Sequence, residues 1–199
     1  LLSRVLGPAE LGLFALILST SQTFELLSRA GVDYGLTCAL TDKEDKHNAD
    51  KYQSLINIAL QIVRTLTWFL LIALILWLGP GKGLLPINIE SNRNVLVILT
   101  GLICVSESLS GLPWDILLVR GEIQTVRLRH SLLVPLKLTA ALVGAWSGGI
   151  MTSLLCYSTM AGVQSFWLNR QVTARQKPSV NAQMQWKEIK KLLGDGLPL

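Results

Sequence analysis

Apolar residues run along this chain in five blocks of membrane-spanning length, joined by short polar connections. The blocks cover residues 11–27, 56–78, 95–119, 126–146 and 150–168, and a further one opens at Ile189. A bilayer core of about 30 Å takes roughly 20 helical residues at 1.5 Å rise each. Each block meets that length, so the pattern predicts an all-α, polytopic transmembrane helical bundle. The Trp146–Gly149 junction (WSGG) is too short for anything but a tight turn, which makes the fourth and fifth spans an antiparallel hairpin.

Composition follows the same line. Half the residues are hydrophobic and 16% are charged, against about 25% charged in soluble domains. The net charge of +5 is spread through the loops rather than gathered on one basic face, which argues against nucleic acid as a partner. Positive charge in short loops marks the cytoplasmic side. One set of alternating connections, around 42–51, 120–129 and 170–191, holds twelve Lys and Arg; the other, Arg4 with Lys82 and Arg93, holds three. The first set is therefore expected in the cytoplasm. Trp77, Trp114, Trp146, Trp167 and Trp186 fall near span ends, at headgroup level, whereas Trp68 is nearer mid-span. Cys38, Cys104 and Cys156 lack metal-ligand spacing and read as packing residues. No cofactor or metal site is expected.

A polar stripe on each of the five spans then demands attention, because ionisable groups at membrane depth are expensive and rarely face lipid. Gln22, Glu25 and Arg29 share one face of the first span; Gln53, Asn57, Gln61, Arg64 and Trp68 form a stripe on the second. Thr100, Glu107, Ser108, Gly111 and Asp115 lie on one face of the third, His130, Val134 and Lys137 on the fourth, and Ser153, Tyr157, Gln164 and Trp167 on the fifth. Every span has one polar and one greasy side. Arg29 is expected to snorkel or to pair locally with Glu25, and Asp115 to mark the membrane boundary. Arg64, Glu107 and Lys137 lie deeper, with two cations to one carboxylate, which predicts a net positive cavity suited to a phosphate group. The candidate substrate-binding residues are Arg64, Lys137, Glu107, Gln61, Asn57, Glu25 and Arg29. Pro113 and Pro135 lie inside spans, where neighbours can re-satisfy the freed carbonyls. Gly101, Gly111, Gly144 and Gly162 permit close helix approach without forming a GxxxG pair.

The segment 2–41, LSRVLGPAELGLFALILSTSQTFELLSRAGVDYGLTCALT, resembles the start of the polysaccharide (O-antigen-type) flippases. These belong to the multidrug/oligosaccharidyl-lipid/polysaccharide (MOP) exporter superfamily. The resemblance rests on Arg4, Leu6, Gly7, Pro8, Glu10 and Gly12, then Gly31, Val32 and Asp33. The closing segment from Lys187, with Gly196, Leu197 and Pro198, is similar to the opening of the family's seventh helix. By this resemblance the five spans correspond to the family's second to sixth helices. Residues 1–188 form the N-terminal lobe of a two-lobed bundle and 189–199 begin the next helix, so the chain is expected to be an internal piece of a longer protein.

What the resemblance implies is a transporter of the bacterial inner membrane. It would flip undecaprenyl-pyrophosphate-linked oligosaccharide to the outer leaflet by alternating access, for polysaccharide and lipopolysaccharide biosynthesis, alongside polysaccharide-assembly proteins and without covalent chemistry. Two alternatives stay open: a multidrug, cation-coupled exporter of the same superfamily, and a membrane enzyme of the same pathway. The enzyme reading fits less well, because the longest outer loop carries no His and one acid, Glu90, while His47 and His130 both fall at cytoplasmic positions.

Overall fold

In the computed structural model, residues 2–29, 31–41, 49–78, 93–119 and 123–174 are described, and all their regular structure is helical. The order is α1 (Leu2–Val5), α2 (Pro8–Arg29), α3 (Val32–Thr41), α4 (Ala49–Leu78), α5 (Arg93–Val119) and α6 (Ile123–Ala174). Four of these, α2, α4, α5 and α6, are long and apolar enough to cross a membrane. The protein is a membrane protein.

At 52 residues, α6 would be about 78 Å long if straight, more than twice a bilayer core. It is not straight. Gly148 and Gly149 leave helical geometry, and Gly149 takes a φ of 72° that favours glycine. Ser153 Oγ then donates to the Ala141 carbonyl at 2.9 Å and Thr152 Oγ1 to the Gly144 carbonyl at 2.5 Å. Residues twelve apart can meet only if the chain folds back, so α6 is a hairpin whose two arms each have the length of a span. The four long helices thus supply five crossings, with bounds close to those of the apolar blocks.

Two helices were not legible beforehand, the four-residue α1 and α3. After α2 the chain turns at Gly31, whose φ is 76°, and resumes as α3 with Asp33 in its first turn. Pro113 and Pro135 lie inside α5 and α6, and neither interrupts its helix. The connections 42–48 and 79–92, His47, Arg120 and the segment 175–199 with its expected sixth helix lie outside the described residues.

Packing divides the bundle into two apolar clusters. One gathers Val32 and Leu36 of α3, Ile56 and Ala59 of α4, Ile116 of α5 and Leu168 of α6. The other gathers Phe14 and Ile17 of α2, Leu99 and Ile103 of α5, and Ala141 and Leu154 from the two α6 arms. On α5 the first cluster begins at Leu112 and the second ends at Ile103. The residues between them, notably Glu107 and Ser108, carry the polar chemistry. Apolar packing above and below leaves a polar layer at the centre.

Candidate functional site

The polar layer is tied together by hydroxyls, then by charges. Ser108 of α5 hydrogen-bonds both Ser28 of α2 and, at 2.7 Å, Thr67 of α4. Thr67 also donates to its own helix at Val63, the back-bonding that lets a hydroxyl sit among apolar neighbours. Three helices are joined at one buried node, with Ser28 and Ser108 fully enclosed.

One charged group lies beside it. Lys137, on the first arm of α6, places Nζ 2.8 Å from Oε1 of Glu107. Tyr157, on the second arm, donates its hydroxyl to the same oxygen at 2.9 Å, and its ring lies 5.6 Å from the ammonium. Phe14 of α2 meets that ring edge-on at 6.1 Å. The side chains of Lys137 and Glu107 are only 8% and 15% exposed, so the pair is well removed from the surroundings. It borders a cavity of about 180 Å³ that Ser21, Gln22 and Glu25 of α2 also line. Such a volume holds several waters, each taking about 30 Å³ in the liquid.

A second charged group continues from Glu25. Its carboxylate pairs with Arg29 one turn on, and the Arg29 guanidinium also meets Asp115 at 3.3 Å and Asp33 at 3.6 Å. Gly111 leaves room for it: a Cβ there would overlap the guanidinium. Arg29 does not snorkel. Its side chain is 18% exposed and bound on three sides by carboxylates, and Asp115 is one of its partners.

Glu107 pairs with Lys137 whereas Arg64 bonds Asn169, so the expected trio does not form one group. The two groups together hold four carboxylates, Glu25, Asp33, Glu107 and Asp115, against two cations, Arg29 and Lys137. Lys137 is also not a bare cation, because Glu107 neutralises it. The structure brings Glu25, Arg29, Glu107 and Lys137 into this layer and leaves Arg64, Gln61 and Asn57 out of it.

Arg64 stands on the exposed side of α4, ten residues into the 22-residue apolar segment Leu55–Leu76. Its Nη2 donates to Asn169 Oδ1 at 3.3 Å. Gln61, Thr65 and Trp68 share that exposed side, while Asn57, one turn earlier, is half-buried. Further along, the same side becomes Phe69, Ile72, Ile75 and Leu76, all exposed. The exposed face of α4 is polar in its first half and greasy in its second. Sequence reasoning saw a polar stripe here but not its partner, Asn169; the available signal was Ser165 and Asn169, four residues apart late in an apolar run.

No family model, curated protein or solved structure matches this chain.

Proposed function

We propose that this chain is part of a transporter of the bacterial inner membrane that flips lipid-linked oligosaccharide to the outer leaflet, and that the polar half-face of α4 lines the path. The observation that carries the reading is Arg64. An arginine about 13 Å along an apolar helix segment, exposed on the bundle's outside, is costly against lipid and calls for water, an anion or further protein beside it. A guanidinium is permanently charged and offers a planar fork that matches phosphate oxygens. The family resemblance of residues 2–41 supplies the substrate class: an undecaprenyl pyrophosphate bearing an oligosaccharide. Alternating access would carry the headgroup past this face while the prenyl chain stays in lipid. The Lys137–Glu107–Tyr157 group then holds the helices that frame the path rather than touching phosphate.

A second reading has its own observation. Four carboxylates against two cations in the two charged groups suit a cation-coupled exporter of the same superfamily, whose cargo would be cationic. The two readings separate in one experiment. The whole protein is reconstituted in liposomes with either a fluorescent undecaprenyl-pyrophosphate oligosaccharide or a cationic dye. The flippase reading expects the sugar lipid to move and Arg64→Ala to abolish the movement at normal incorporation, with Arg64→Lys keeping part of it. Transport of the dye alone, indifferent to Arg64→Ala, would overturn it in favour of the second.

A further inference from the structure

We propose that Asn169 is a positioning residue, which orients the Arg64 guanidinium toward the anionic group that passes this face. The inference rests on the reading of Arg64 given above and adds the residue that sets its geometry.

The hydrogen-bond inventory of Asn169 leaves little freedom. Its Nδ2 donates to the Ser165 carbonyl on its own arm at 2.9 Å and to the Leu109 carbonyl of α5 at 3.1 Å. Both amide hydrogens are thereby used, and the amide plane is pinned between two helices. The carbonyl end must then point away from those two carbonyls, and it points at Arg64 Nη2. An amide that could flip would offer donors to a cation half the time; this one is held with its acceptor outward. Asn169 is itself half-buried whereas Arg64 is exposed. A fixed acceptor on one guanidinium nitrogen restrains a side chain that otherwise carries large rotamer entropy, so less is lost when a phosphate engages the fork. Asn169 does not need to touch the substrate to do this.

Charge sharpens the test. An aspartate at this position would replace a neutral acceptor by an anion, and would compete with phosphate for the same guanidinium. The fluorescent undecaprenyl-pyrophosphate oligosaccharide is the probe, in liposomes holding the whole protein at matched incorporation. Asn169→Ala is expected to slow flipping roughly fivefold, as for the loss of one ordinary hydrogen bond, and Asn169→Asp to slow it more. Placed in an Arg64→Lys background, where no planar fork remains to be oriented, Asn169→Ala should slow flipping by less than twofold further. A merely structural role predicts the same fold-loss in both backgrounds, and that result would overturn the proposal. Normal flipping by Asn169→Asp alongside a dead Arg64→Ala would also overturn it while leaving the reading of Arg64 intact. Normal flipping by Arg64→Ala would instead remove that reading, and this inference with it.

Discussion

Lys137 and Arg64 are both cations at membrane depth, yet the structure gives them opposite situations. Lys137 is enclosed and satisfied by Glu107 under the ring of Tyr157; Arg64 is exposed and, among the described residues, donates to the Asn169 amide. Their stabilities under mutation should differ accordingly. Breaking a buried ion pair by removing one partner costs about 3–5 kcal/mol, because the other charge stays behind, whereas replacing both by apolar residues is often close to neutral. Lys137→Met should therefore lower the thermal midpoint of the purified protein clearly, and Lys137→Met with Glu107→Leu should recover most of the loss. Arg64→Ala should shift the midpoint by no more than about 0.5 kcal/mol equivalent. The pairing itself was not legible in the sequence. Spacing says which residues share a face of their own helix, but not which faces meet, and Glu107 had two candidate cations at similar depth. Rotation of the first α6 arm decided for Lys137. Tyr157 was visible as part of a stripe; that its hydroxyl would complete the same carboxylate was not.

At the scale of elements, length and apolar character were enough to place the five described spans to within a few residues, including the hairpin at Gly148 and Gly149. They were not enough to find α3, because its apolar run is short and begins beside the charged Asp33 just after the turn at Gly31. The hairpin has a sharp steric requirement. A Cβ on Gly144 would sit 2.5 Å from the Thr152 carbonyl oxygen, part of the backbone of the opposing arm, whereas one on Gly12 of α2 would meet nothing within 4 Å. Gly144→Ala should destabilise the protein by about 1–3 kcal/mol, as overpacking does, and Gly12→Ala should be neutral or slightly stabilising through its helix preference. Thermal unfolding of the two variants in the same detergent checks the contrast.

For the whole molecule, the loop charges predict an orientation, with the connection around 42–51 expected in the cytoplasm and that around 79–94 outside. With Cys38, Cys104 and Cys156 replaced by Ser, a cysteine at Lys82 should react with an impermeant maleimide on intact cells. Reaction only after permeabilisation would invert the topology. That orientation gives the two-part face of α4 a direction: its polar half, from Gln61 to Trp68, is nearer the cytoplasm, and its greasy half, from Phe69 to Leu76, is nearer the outside. If the proposed function holds, water rather than lipid lies against the cytoplasmic half of this helix. Cysteine accessibility along α4 tests this most directly. In the same cysteine-free background, Gln61→Cys, Arg64→Cys and Thr65→Cys should react with a small charged thiosulfonate supplied from the cytoplasmic side, while Ile72→Cys and Leu76→Cys should not. Failure of Arg64→Cys to react from either side, or reaction of all five alike, would contradict the account.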